Sequence, residues 1–306
     1  MITGQVPDFS VVITVYNKGA FIGQAIESVL NQSYRNFEII IVDDGSTDTT
    51  KNVIHSFSDN RIRYIYQENS GLPACARNAG MMLARGSYIA LLDGDDFWHR
   101  NKLYECKKVL DTNKDISLVC HNEYVLYDGK ILRHTSSAPY AEGMYFRLLF
   151  NGNCLYPSAV VIRRSIFFDD GFNFSEEKNL FTVEDYEYWL RLSQRYEFYL
   201  LPDILGYYRV SEGGIYLTNI DENTKNMLDL LERHFNKVMH KTKEQQNLIH
   251  KRYSGVMSAA GRIYQHRKKF KESRAWYLKA IKEFPLNYKA GICYLAALLN
   301  IRVLYR

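Results

Sequence analysis

Between Phe9 and Leu92 the chain repeats one pattern: a short apolar run, a polar cluster, then a segment of helical periodicity. The apolar runs are Phe9–Val15, Phe37–Val42, Ile62–Tyr66 and Tyr88–Leu92. They are too short for buried helices and read as strands covered on both faces. From Phe21 to Leu30, apolar residues 21, 25, 29 and 22, 26, 30 share one helical face. Thr47 and Asp48 are placed to cap a second helix running to Phe57, and a third runs from Pro73 through Arg85. Strands alternating with helices predict a mostly parallel sheet covered by helices, in a Rossmann-like α/β fold. Ligands bind such sheets at the carboxyl ends of the strands. The clusters Thr14–Asn17, Asp43–Asp48 and Asp93–Asp96 all fall at those ends.

The last cluster carries the most chemistry. Asp93, Asp95 and Asp96 crowd into one turn, where Gly94 is expected to let the backbone approach a ligand. Crowded carboxylates stay ionised together only when a cation compensates them. Oxygen ligands suit Mn²⁺ or Mg²⁺, and either ion favours phosphates, so the Asp-x-Asp predicts a metal-bridged diphosphate. The plainer reading of the same residues is a charged turn after a core strand. No Gly-x-Gly-x-x-Gly follows the first strand and no Walker-type Gly-Lys-Ser/Thr occurs, which argues against dinucleotide and P-loop enzymes.

Four segments together resemble the signature of family 2 inverting glycosyltransferases: Val11-Val-Ile-Thr-Val-Tyr-Asn17, Val42-Asp-Asp-Gly-Ser-Thr-Asp48, Ala76-Arg-Asn-Ala-Gly80 and Leu92-Asp-Gly-Asp-Asp-Phe-Trp98. The resemblance covers residues 9 to about 212 and implies the GT-A fold and a nucleotide-diphosphate-sugar donor, with a UDP-sugar favoured. It divides a catalytic domain over 1–220 into a donor half (about 9–98) and an acceptor half (about 99–212). It implies that Thr14, Tyr16 and Asp44 hold the nucleobase and ribose. A carboxylate can accept the imide N–H of uracil, and a tyrosine ring can stack on its face. Arg77 is implied near the diphosphate, Asp93 against the ribose, and Asp95 as the metal ligand. Asp96 is then a supporting residue or helix cap, and Asp43 a turn residue.

In the acceptor half, Tyr156–Arg163 reads as a strand beneath the acceptor. Phe181-Thr-Val-Glu-Asp-Tyr-Glu-Tyr-Trp-Leu-Arg191 resembles the family's Glu-Asp motif. Inverting transfer needs one carboxylate to take the proton of the attacking hydroxyl. The resemblance gives that role to Asp185, with Glu184 in support. Thr182-Val-Glu-Asp185 also reads as a capping box, a compatible assignment. Trp189, one turn on, is placed to stack on the acceptor sugar, while Tyr186 and Leu190 face the core. Gly206–Gly214 resembles a segment that closes over the diphosphate, with Arg209 as phosphate contact and Gly213-Gly214 suiting a mobile lid. Ser211 stands where relatives often have a histidine. The Gln-x-x-Arg-Trp element of processive synthases is absent, so transfer of one sugar at a time is expected.

The overall net charge of +5 is unevenly spread. Residues 1–220 hold 21 Lys and Arg against 27 Asp and Glu, while 221–306 hold 18 against 7. The basic tail reads as four helices, about 221–240, 243–269, 271–284 and 287–304. Gly261, Tyr264, Tyr277, Ala280 and Pro285 have the spacing of one tetratricopeptide repeat, with Ser273 in place of alanine. A single repeat does not stand alone, so an appendage docked on the catalytic domain is expected. Its runs Arg262–Lys271 and Tyr294–Arg306 combine positive charge with apolar residues, consistent with an anionic membrane surface. A solvated basic face fits equally, and no nucleic-acid motif accompanies the charge. No apolar run spans a membrane, no signal segment opens the chain, and five scattered cysteines fit a reducing cytosol. The expected activity is metal-dependent inverting transfer of one sugar to a glycan or lipid-linked acceptor, in the cytoplasm or on the inner membrane face. A non-catalytic scaffold acting through the tail is the alternative. A sugar-nucleotide pyrophosphorylase would need a glycine-rich first loop, which Thr14–Gly19 is not.

Overall fold

The structure is a computed structural model that describes residues 6–136, 143–210, 218–237 and 242–303. It divides into two compact units: Met1–Tyr145, Asn153–Lys178 and Glu184–Ser211 in the first, Phe146–Gly152, Asn179–Val183 and Glu212–Arg306 in the second. A single boundary at 220 is therefore too simple. Two short segments join the tail unit, where the Phe150 ring packs on Phe235 and Asn226 donates to the Phe181 carbonyl.

The elements up to Val210 are, in chain order, β1 (Phe9–Val15), α1 (Ile22–Leu30), β2 (Phe37–Asp44), α2 (Thr50–His55), β3 (Ile62–Gln67), α3 (Pro73–Met82), β4 (Tyr88–Asp93), β5 (Phe97–Trp98), α4 (Lys102–Thr112), β6 (Ile116–Tyr127), β7 (Lys130–His134), α5 (Met144–Asn151, in the second unit from Phe146), β8 (Val160–Arg163), α6 (Arg164–Phe168), α7 (Glu184–Leu192) and β9 (Glu197–Val210). The sheet order is β3-β2-β1-β4-β8-β6-β9-β5, with β7 added on β6. The first four strands are parallel, as the alternation predicts. Beyond them β8 runs antiparallel to β4 and β6, and β9 parallel to β6, because strict alternation ends at Trp98. The stretch read as a strand from Tyr156 contains a short 3₁₀ turn at Pro157–Ala159, and pairing starts only at Val160. Proline lacks the N–H a ladder needs.

Packing follows the two periodicities. α1 buries Ile22, Ala25, Ile26 and Val29 against the sheet face made by Phe9, Val11, Ile13, Ile39, Ile41, Ala90 and Leu92. The strand order reverses direction between β1 and β4, which opens a crevice at their carboxyl ends.

The second unit contributes α8 (Ile220–Lys237), α9 (Lys243–His266), α10 (Phe270–Glu283) and α11 (Tyr288–Leu298). Thr242 and Gln245 form a capping box at the start of α9. α9 and α10 pack as a hairpin: a side chain at Gly261 would lie 2.8 Å from the Tyr277 ring, so only glycine admits it. The Ser273 hydroxyl donates to the Gly261 carbonyl at 2.9 Å, and Tyr277 donates to Gln265 Oε1 at 2.8 Å. Among the described residues no helix is long and apolar enough to cross a membrane.

Candidate active site

Strand register assembles the site. Thr14 of β1 lies between Val42 and Asp93, and Val15 pairs with Asp43, so the three polar clusters meet at one level. The loops beyond are stitched together before any ligand is considered. Asn17, in the left-handed region at φ 50°, donates its N–H to Ser46 Oγ and accepts from the Thr47 N–H. Lys18 and Gly19 donate to Thr50 and Asp48. Tyr16 stands half exposed at the mouth. Asp43 is buried as a turn residue, accepting from Ser46 N–H and the Tyr64 hydroxyl, as the sequence reading has it. Asp44 accepts from the Gln67 amide and from Ser70.

The acidic turn is held from beneath by Ser158, a buried residue that local sequence did not single out. Its hydroxyl accepts from the Asp93 N–H (3.1 Å) and donates to Asp96 Oδ2 (2.6 Å). Its carbonyl accepts from the Trp98 indole and from the buried Lys102 ammonium, which lies 3.7 Å over the Trp98 ring. Burial together with Asp95 and Glu123 pushes the Asp96 carboxyl well above the usual range. Asp96 thus supports the turn. The other Asp96 oxygen accepts the Arg209 N–H at 2.7 Å. The Arg209 guanidinium reaches the Asp95 carbonyl and Gln24, between the rings of Phe21 and Phe97. Ser158→Ala should therefore cost about 1–3 kcal/mol of stability, the penalty of leaving buried polar partners unmade. Chemical denaturation measures it, and a loss under about 0.5 kcal/mol would remove Ser158 from this supporting role.

Gly94 meets a steric constraint within the protein itself. Its N–H donates to the Thr14 carbonyl, and an added Cβ would sit 2.8 Å from the Val15 side chain. The glycine lets the turn close on β1.

Arg77 of α3 is buried, with both terminal nitrogens paired and its Nε without a hydrogen-bond partner. One Nη donates to Asp93 (3.0 Å) and the other to Glu184 (2.8 Å). A buried cation has to be paired, and here the partners are two carboxylates. The pairing joins the acidic turn to the start of α7. There Asp185, half buried, accepts from its neighbour's N–H and from the Asn153 amide at 3.2 Å. Burial and the adjacent Glu184 push its carboxyl up to about 7, against the pull of Arg77. Thr182 does not cap α7. It adopts φ 68°, a strained backbone for a β-branched residue, and its hydroxyl donates to Asn223. The expectation for Trp189 is corrected. It is completely buried between Phe174 and Tyr188, with its indole N–H on the Leu155 carbonyl, so it is core and cannot stack on a sugar. Tyr186 and Leu190 are core as expected. Ser211, Gly213 and Gly214 of the anticipated lid lie outside the described residues.

Asp95, like Asp93, is about a quarter exposed, and the Lys18 ammonium pairs with it at 2.6 Å. A cation is therefore electrostatically matched to this spot. Among the described residues no group of three or more His, Cys, Asp or Glu side chains could hold a metal alone. An ion shared between one carboxylate and substrate phosphates needs no such group, so Asp95 fits that arrangement. Sequence reasoning missed Lys18, Ser158 and Asn153; only Lys18 had a local signal, its place directly after the first polar cluster.

Comparison with known proteins identifies the family and the fold. The family described as Glycosyl transferase family 2 matches residues 10–169. An Escherichia coli protein named UDP-Glc:alpha-D-GlcNAc-diphosphoundecaprenol beta-1,3-glucosyltransferase WfaP is 34% identical over 207 residues, 67% of this chain and 78% of its own. Among solved structures, Staphylococcus aureus TarS 1-349 in complex with UDP-GlcNAc superposes with a TM-score of 0.64 at 16% identity, covering 98% of this chain and 93% of that one. The mannosyltransferase PcManGT of Pyrobaculum calidifontis, in complex with GDP-Man and Mn²⁺, gives 0.60 at 16% identity over 96% and 81%. The chain spans 74% of another curated relative but only 20% to 26% of several longer ones. The fold is the GT-A fold, with helices following it. The chain belongs to glycosyltransferase family 2 and is a glycosyltransferase.

Proposed function

We propose that the chain transfers one sugar, with inversion, from a UDP-sugar to a hydroxyl of a glycan or lipid-diphosphate-linked acceptor. The observation that carries this reading is Asp185: a carboxylate raised to about 7, held by the Asn153 amide and next to Glu184, which Arg77 ties to Asp93. A base of that strength is suited to accept a hydroxyl proton near neutral pH. Support for the donor class comes from TarS, solved with UDP-GlcNAc, and for the acceptor class from the name of WfaP, which specifies a diphosphoundecaprenol-linked sugar.

In the proposed step the acceptor oxygen gives its proton to Asp185 and forms a bond to the anomeric carbon. The bond from that carbon to the diphosphate oxygen breaks, and its electron pair leaves with UDP. Thr14, Tyr16 and Asp44 bind the nucleoside, Asp93 orients the ribose, and Arg209 steadies the turn beside the diphosphate. Mn²⁺ or Mg²⁺, when bound, would be held by Asp95 and supply charge neutralisation for the leaving diphosphate. The five cysteines are all free, in keeping with a reducing cytoplasm.

The test is a thermal-shift panel of UDP, GDP, CDP and TDP with and without Mn²⁺, on the wild type and on Asp95→Ala. A nucleotide at about 100 times its dissociation constant stabilises by about 2.7 kcal/mol. UDP should stabilise only with Mn²⁺, and Asp95→Ala should lose the effect. Stabilisation by UDP that ignores both metal and mutation would refute the metal role, and silence from every nucleotide would refute the donor site.

A further inference from the structure

α11 is apolar on both sides. Ala290, Cys293, Tyr294 and Ala297 turn inward onto Tyr277 and Ala280. On the other side Tyr288, Ile292, Leu295 and Leu299 recur at helical spacing in one stripe, 69%, 62%, 60% and 73% exposed. Leu286, 78% exposed, extends the stripe before the helix, and Ile301 after it. A helix apolar all round is ordinarily covered all round, and a contiguous exposed patch of this kind marks an interaction surface.

The surrounding charge identifies the occupant. Residues 284–303 contain Lys289 and Arg302 and no acidic residue. α10 presents Lys271, Leu278 and Lys282 at helical spacing, all exposed. From Arg267 to Val303 nine Lys and Arg stand against Glu272 and Glu283, and Glu283 is paired with His250. A second copy docking here would bring like charges together. An anionic lipid surface complements both the cations and the apolar stripe, as for helices that lie in a membrane interface. We propose that the outer face of α11 docks the tail unit on an anionic membrane, with Tyr288, Ile292, Leu295 and Leu299 entering the headgroup boundary while Lys282 and Lys289 meet lipid charge. The proposal stands on the tail alone and does not depend on the donor or acceptor assignment.

The experiment is flotation of the full chain with vesicles of phosphatidylcholine, alone or mixed with phosphatidylglycerol. The wild type should bind the mixed vesicles, and added salt should weaken that binding. Ile292→Glu with Leu295→Glu should lower binding about tenfold or more. Lys282→Gln with Lys289→Gln should remove the preference for phosphatidylglycerol. Because these side chains are exposed, the variants should melt with the wild type and keep its nucleotide-induced thermal shift, which separates loss of docking from loss of the donor site. Absence of wild-type binding, or equal binding by the glutamate variant, overturns the proposal. A wild-type dimer that the glutamate variant makes monomeric, without vesicle binding, overturns it in favour of a second copy.

Discussion

Asp185→Asn should lower kcat by about 10²–10⁴, the usual contribution of a positioned general base, while leaving donor binding intact. Asparagine keeps the shape of the side chain and can still meet Asn153 and the Tyr186 N–H, so a fall in rate reports lost proton transfer. The pH profile gives an independent reading. With the carboxyl raised to about 7, the wild-type rate should climb with pH up to about 7 and level off above it. Stability runs the other way. A carboxyl raised on folding binds its proton more tightly in the native state, so wild-type stability falls as pH rises from the ordinary carboxylate range through about 7. Asparagine has no such loss. The variant should therefore melt higher than the wild type at pH 8, with the gap closing in acid. Unchanged kcat, or a melting gap that widens in acid, would take the base role from Asp185.

Arg77→Met should destabilise the chain by about 3–5 kcal/mol, because it strands one buried and one largely buried carboxylate at once. Asp93 and Glu184 each accept from a separate arm of the guanidinium, and the side chain has almost no contact with solvent. Lysine is not a substitute, since one ammonium cannot span both partners with the planar geometry that a guanidinium has. Urea unfolding of Arg77→Met, Glu184→Gln and the double variant measures the coupling. The double variant should be more stable than the sum of the single losses predicts, because neutralising Glu184 removes one of the stranded charges. Strict additivity would mean that Arg77 and Glu184 do not act together.

The parallel half of the sheet was legible because each strand, helix and exit cluster is local in sequence. Thr14, Tyr16, Asp44 and Asp93 could be placed from apolar runs and the polar residues that end them. Legibility fell where a role depends on long-range contact. Trp189 sits at the right helical spacing to face an acceptor, yet Phe174 and the Leu155 carbonyl, distant in sequence, enclose it. Arg77 has the right chemistry for phosphate, but its pairing with Glu184 spans 107 positions and leaves no local signal in the sequence. Thr182 carries a good capping sequence that Asn223 diverts. Ser158 is an ordinary serine after a proline until the fold lays its hydroxyl between Asp93 and Asp96.

The stitching of Asn17 to Ser46 and Thr47, and of Lys18 and Gly19 to Thr50 and Asp48, has a further consequence for how these two loops meet a ligand. Fixing a residue's backbone costs on the order of 1–2 kcal/mol, and in these two loops that cost falls in folding, with none left for ligand arrival. Loops tied in this way have no slack with which to widen. Their shape is then set by folding, ahead of any encounter with a ligand. A change in that shape would have to come through the tethers themselves, Ser46, Asp48 and Thr50.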